Sequence, residues 1–71
     1  MISVSHETFD KLVLEPSLKR PVVLDLWAEW CGPCKIFSPV YEKVSKDYSY
    51  DMDFHKLNVD DNPELANKYG I

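Results

Sequence analysis

The stretch Trp27-Ala28-Glu29-Trp30-Cys31-Gly32-Pro33-Cys34-Lys35 decides how this chain is read. It holds both cysteines, both tryptophans and one of the two glycines of the sequence. The most apolar strand candidate, Pro21-Val22-Val23-Leu24-Asp25-Leu26, runs directly into it. The best helix candidate, Ile36 to Tyr48, leaves it on the other side. A C-x-x-C at a strand-to-helix junction reads as a dithiol/disulfide redox centre. A Cys31–Cys34 bridge would close a very short loop and remove little entropy from the unfolded chain, so its role is chemical rather than that of a staple.

Working outward, Val22 to Trp27 is apolar throughout except for Asp25. Such a run suits a strand buried on both faces of a parallel sheet. Asp25 is the anomaly in it, because burial penalises an ionised carboxylate and raises its pKa unless it is paired. On the other side, Phe37, Val40, Tyr41, Val44 and Tyr48 recur at helical spacing and form an apolar stripe expected to face the core. Pro39 interrupts that helix and should kink it.

Further upstream, Ile2-Ser3-Val4 alternates as a short edge strand. Ser5 is a candidate N-cap for a helix whose face is Phe9, Leu12 and Val13, and Pro16 should stop that helix. Downstream, Ser49 to Asp53 is a polar turn and Phe54 to Val59 a third strand, with Leu57 and Val59 on one face and Phe54 and Lys56 on the other. His55 is expected to face solvent. Asp61 or Asn62 caps a third helix, Pro63 suits its first turn, and Gly70 ends it. The order β-α-β-α-β-α argues for an α/β domain, a three-stranded parallel sheet flanked by helices.

This order assigns roles. Cys31, at a helix N-terminus where unpaired N–H groups favour negative charge, is the candidate nucleophile. Cys34, one turn in and expected to be more buried, is the candidate resolving thiol. Asp25, beneath the pair, could take the proton of Cys34, and Lys56 on a neighbouring strand could be its charge partner. Trp30 offers a flat apolar surface to a polypeptide, and Gly32 and Pro33 shape the turn beside it. Two plainer readings stand beside these: Asp25 satisfied by hydrogen bonds alone, and Lys56 as a snorkelling lysine. A C-x-x-C is also half of a zinc site, but zinc takes four ligands and only His6 and His55 are available, at no recognisable spacing.

The whole-chain numbers narrow the classes. Seventy-one residues allow one small domain. A core of that size rarely supplies more than about 3–5 kcal/mol. Eight Lys/Arg against twelve Asp/Glu, with no basic run longer than Lys19-Arg20, argue against nucleic-acid binding. No apolar run approaches a membrane span, and Met1 to His6 does not read as a signal peptide. A reducing cytoplasm is the expected compartment.

The motif resembles the active-site signature of the thioredoxin family, and the likeness extends along the chain. Asp25 falls at that family's buried aspartate and Pro39 at its helix proline. Lys56-Leu57-Asn58-Val59-Asp60 resembles the segment that carries its buried lysine and the aspartate supporting an active-site tryptophan, here Trp27. Asn62 to Ala66 and Lys68 to Ile71 resemble the next helix and its exit. Leu26, where many members carry an aromatic, is a mild departure.

The resemblance implies a thioredoxin-like fold and a protein-disulfide reductase with Cys31, Cys34, Asp25 and Lys56 as catalytic residues. It implies Trp30, Gly32 and Pro33 as substrate-binding residues and Trp27, Asp60 and Pro39 as structural support. It also implies no cofactor beyond the Cys31–Cys34 disulfide, disulfide-containing proteins as substrates and thioredoxin reductase as electron donor. Against that family, residues 1–71 read as a single, C-terminally incomplete domain: a cis-proline loop, two strands and a last helix would follow. Val22–Trp27 would then be an open edge, and a homodimer pairing along it is expected. The alternatives are a truncated, catalytically impaired form that acts by self-association or by binding a partner through that strand, and a dimer bridged by metal or cluster through Cys31 and Cys34.

Overall fold

Three short strands lie side by side in the computed structural model, which describes residues 1–70. The elements are β1 (Ile2–Ser3), a π-helical turn (Asp10–Leu14) leading into α1 (Glu15–Ser17), β2 (Val22–Trp27), α2 (Gly32–Asp47), β3 (Asp53–Asn58) and α3 (Pro63–Lys68). The sheet order is β1-β3-β2 and both pairings are parallel. Register runs from Val22 opposite Asp53 to Trp27 opposite Asn58, and β1 places Ile2 opposite His55. Backbone bonds extend the β2–β3 ladder at both ends, from Asp53 N–H to Pro21 and from Val59 N–H to Trp27. The strand expected at Phe54–Val59 is therefore shifted by one residue.

The first helix departs from expectation at both ends. Ser5 does not cap it; Ser5 and Thr8 close a turn on each other instead, Ser5 N–H donating to Thr8 Oγ1 at 3.0 Å. Pro16 does not stop it, because the helical path continues to Ser17. The turn before the proline is widened, with Glu15 N–H reaching back five residues to Asp10. Proline has no N–H to bond the preceding turn and its ring crowds the carbonyl there, so a wider turn relieves both problems.

The core sits on one face of the sheet. Val4, Phe9 and Leu57 are buried together, with Leu12, Val13, Leu24, Val59 and Leu65 packed around them. Phe9 also meets the Tyr69 ring at 5.6 Å between centroids. Asn62, in the N-cap position of α3, turns its amide away from that helix: its Oδ1 accepts from His6 N–H at 2.9 Å and its Nδ2 donates to Asn58 O at 2.9 Å. This ties the N-terminal segment to the loop after β3. Gly70 follows α3 with φ of 75°, a left-handed conformation that suits glycine.

The other face is less covered. Of the α2 stripe only Tyr41 is buried; Phe37, Val40 and Val44 remain 49%, 55% and 39% exposed. Nor is β2 buried on both faces as expected, and Leu26 is exposed. The cause is the same in both cases: among the described residues β2 is an edge strand, and none of them lies beyond it to receive side chains from α2 or from its own free side. His55 corrects the reading in the opposite direction. It lies on the middle strand between Ile2 and Leu24 and is only 8% exposed, with Nδ1 buried and without a partner among the described residues.

Candidate redox site

Ala28 is buried at the end of β2, and its carbonyl accepts from Cys31 N–H at 3.1 Å, turning the chain into α2. Cys31 is the N-cap of α2, in an extended conformation, and Pro33 occupies the first turn, where its missing N–H costs nothing. Cys31 Sγ accepts the Cys34 N–H at 3.3 Å, so the sulfur takes the place an Asp or Ser oxygen fills in an ordinary cap. Cys31 and Cys34 are joined in a disulfide, with Cα atoms 5.3 Å apart. Both cysteines are partly exposed, so the expected greater burial of Cys34 is not seen in this oxidised state.

Two residues before the end of β2, Asp25 lies opposite Lys56 of β3. A cavity of about 170 Å³ opens beside them, lined by Asp25, Trp27, Cys34, Ser38 and Lys56, with Glu29 and Lys35 completing its wall. Its size, with the Asp25 carboxyl, the Lys56 ammonium and the Ser38 hydroxyl among its lining groups, suits a few waters. Burial raises the Asp25 pKa above the ordinary carboxylate value, and the positive charge of Lys56 partly opposes the rise. The Lys56 ammonium also lies 5.9 Å from the centre of the Trp27 ring, within cation–π range. The structure thus brings together Cys34, Asp25 and Lys56, three residues from three different elements.

The tryptophans are arranged differently from expectation. Asp60 does not support Trp27; its Oδ2 accepts from Trp30 Nε1 at 2.8 Å. Trp27 Nε1 is buried without a partner among the described residues. The reason is position: Trp30 lies in the turn after β2 and reaches the loop after β3, whereas Trp27 is still part of the ladder, opposite Asn58. Trp30 is 75% exposed and borders a shallow hollow shared with Val59, Asp60, Pro63 and Ala66. Gly32 and Pro33 are exposed beside the disulfide. Pro39 lies within α2, which runs on through it.

Sequence reasoning passed over Ser38, Glu29 and Lys35 in the cavity wall, and it counted Tyr41 only as apolar stripe. Tyr41 Oη lies 2.6 Å from His55 O and 3.0 Å from Val23 O. The one signal available was a hydroxyl in a stripe otherwise apolar on that face. Among the described residues, no group of three or more His, Cys, Asp or Glu side chains is gathered to hold a metal ion.

A parallel α/β sheet with a cysteine pair closed at the N-terminus of the helix that follows its edge strand defines a class of thiol-bearing domains. The family model described as Thioredoxin matches residues 1–71. Thioredoxin of Rickettsia bellii is 44% identical over 69 residues, covering 97% of this chain and 64% of that protein. Thioredoxin of Pseudomonas aeruginosa is 41% identical over 71 residues, covering 100% of this chain and 64% of that protein. A chloroplastic M-type thioredoxin of Chlamydomonas reinhardtii is 44% identical over 69 residues, covering 97% of this chain and 48% of that protein. The chain belongs to the thioredoxin family. It spans about 64% of the length of the two bacterial relatives.

Proposed function

We propose that the chain is a thiol–disulfide oxidoreductase that reduces disulfides of other proteins. The observation that carries this reading is the Cys31–Cys34 disulfide at the N-terminus of α2, with Cys34 bordering the cavity that holds Asp25 and Lys56. In the reduced protein, the Cys31 thiolate attacks one sulfur of a substrate disulfide. The other substrate sulfur leaves and takes up a proton, and a Cys31–substrate mixed disulfide remains. Cys34 then gives its proton to Asp25 and attacks Cys31 Sγ, which releases the second substrate thiolate and closes the Cys31–Cys34 disulfide. Two electrons pass from the dithiol to the substrate, and no further cofactor is required.

Each group suits its step. The free N–H groups and dipole at the start of α2 favour a thiolate on Cys31. A carboxylate whose pKa is raised by burial is a better base near neutral pH than an ordinary one. Trp30, Gly32 and Pro33 surround the disulfide with exposed surface on which an extended polypeptide rests. Asp60 holds the Trp30 indole, while Trp27 and Pro39 support the strand and helix that carry the site. The relatives support a thioredoxin reductase as the source of electrons, and we assign the cytoplasm, whose reducing poise returns the dithiol.

Insulin reduction driven by dithiothreitol tests the reading. The protein should accelerate precipitation of the insulin B chain. Cys31→Ser should abolish the acceleration, and Cys34→Ser should accumulate a mixed disulfide with insulin. No acceleration by protein whose two thiols titrate normally would sink the proposal and favour the alternative, a catalytically impaired form that works through association.

One observation gives that alternative some substance. Among the described residues the largely apolar strand β2 is a free edge, and its Leu26 together with Phe37 and Val40 of α2 is exposed. An unpaired apolar edge pairs with another chain, and we propose a two-fold homodimer along Val22–Trp27. Sedimentation equilibrium showing monomer across the micromolar range would contradict it.

A further inference from the structure

Tyr41 has a ring that packing explains and a hydroxyl that packing does not. The side chain is 6% exposed, and its ring meets Phe37 and Phe54 at 5.8 Å between centroids in each case. Phenylalanine would fill that place equally well. A buried hydroxyl costs free energy unless it is bonded, and this one is: Oη donates to His55 O at 2.6 Å and lies 3.0 Å from Val23 O. His55 immediately precedes Lys56 on β3, and Val23 lies two residues before Asp25 on β2. Asp25 and Lys56 are opposite one another in the ladder. A single side chain of α2 therefore touches the backbones of both strands just ahead of the carboxylate and the ammonium.

We propose that Tyr41 is a positioning residue for the Asp25–Lys56 pair: its hydroxyl ties β2 to β3 directly before the two side chains and so sets how closely Lys56 approaches Asp25. The proposal rests on the reading of Asp25 as the proton acceptor for Cys34. Electrostatics agree with the geometry. Burial raises the Tyr41 pKa and the negative charge of Asp25 raises it further, so the two groups are within electrostatic reach. The other charged groups around Asp25 are Lys56 from β3, Lys35 from α2 and Glu29 from the connecting segment; Cys34, closed in the disulfide, does not titrate. Tyr41→Phe leaves all of them in place, so a changed Asp25 titration reports on the hydroxyl.

Without Oη the His55 carbonyl loses its donor and the contact to Val23 O is lost with it, so the constraint that brings Lys56 to Asp25 is relaxed. Lys56 holds the Asp25 pKa down, so a looser Lys56 lets it rise. The experiment is a carbon-13 NMR titration of the Asp25 carboxyl in the oxidised 71-residue protein, wild type against Tyr41→Phe. Phe54→Leu serves as a control that disturbs the same aromatic cluster and keeps the hydroxyl. Circular dichroism verifies that each variant folds. The expected result is an upward shift of the Asp25 midpoint in Tyr41→Phe and none in Phe54→Leu. The acid limb of the pH–turnover profile should move upward with it.

A folded Tyr41→Phe with an unchanged midpoint would overturn the proposal, as would an equal shift in Phe54→Leu. Failure of the underlying reading looks different: Asp25→Asn would leave the pH–turnover profile unaltered although the midpoint in Tyr41→Phe had moved. That outcome keeps Tyr41 as the positioning residue and removes Asp25 from the proton transfer.

Discussion

The two faces of one small sheet follow opposite rules. On the face toward the first helix and α3, Val4, Phe9 and Leu57 exclude water and carry no chemistry. On the face toward α2, the same strands present Asp25 and Lys56 to a cavity beside Cys34, and the apolar stripe of α2, Tyr41 excepted, stays about half in solvent. Leu24 and Asp25 are neighbours in β2, yet alternation sends one to the dry side and the other to the wet one. The comparison teaches that stability and reactivity are held by adjacent residues of one strand and are separable by substitution.

Substitution on the dry face should have the largest effect. Leu57→Ala removes the most deeply buried large side chain and should cost about 2–5 kcal/mol. That is a large part of what a core of this size supplies, so a urea melt should show the variant mostly unfolded without denaturant. A stable, cooperatively folding Leu57→Ala would break the comparison, since the dry face would then not be what holds the sheet together.

Asp25→Asn acts more weakly and in the opposite direction. The Asp25 pKa is raised on folding. The folded protein therefore binds the proton more tightly than the unfolded chain does, and Asp25 contributes stability below its unfolded pKa of about 3.8 that is lost as pH rises through the folded value. At neutral pH its ionised form is a cost. Asp25→Asn should then unfold at a higher temperature than wild type at pH 7, with the difference shrinking as pH falls toward that of the free carboxyl. Thermal melts from pH 4 to pH 8 read the sign directly, and a variant less stable at pH 7 would show that the carboxylate is held by favourable bonds instead.

The smallest effect belongs to the exposed stripe. Val40→Ala, at a position 55% exposed, should change monomer stability by no more than about 0.5 kcal/mol. The same substitution sharpens the dimer proposal. If β2 and the stripe are covered by a second copy, Val40→Asp should lower the association constant in sedimentation while leaving the fold intact by circular dichroism. Equal association of Val40→Asp and wild type would place any self-association elsewhere.

Much of this is legible in the sequence. The strand–turn–helix around Cys31 and Cys34 and the alternation of elements follow from local pattern, because strand period, cap chemistry and turn residues act over a few neighbours. Less legible were the places where distant segments meet. The path of the helix through Pro16 depended on a widened turn that no single residue announces. The burial of His55 depended on β3 being the middle strand. The partner of Asp60 depended on which indole, Trp30 or Trp27, the turn carries toward the loop after β3.

By itself the sequence determined that a cysteine pair stands at the junction of an apolar strand and a helix, with a carboxylate in that strand and a lysine in the next. The tertiary structure alone decided that the α2 stripe faces partly into solvent and that the Tyr41 hydroxyl bridges two strand backbones. The physical reason lies in the range of the forces. Propensity, capping and alternation are properties of consecutive residues, whereas burial and hydrogen-bond pairing belong to surfaces that exist only once the strands are side by side.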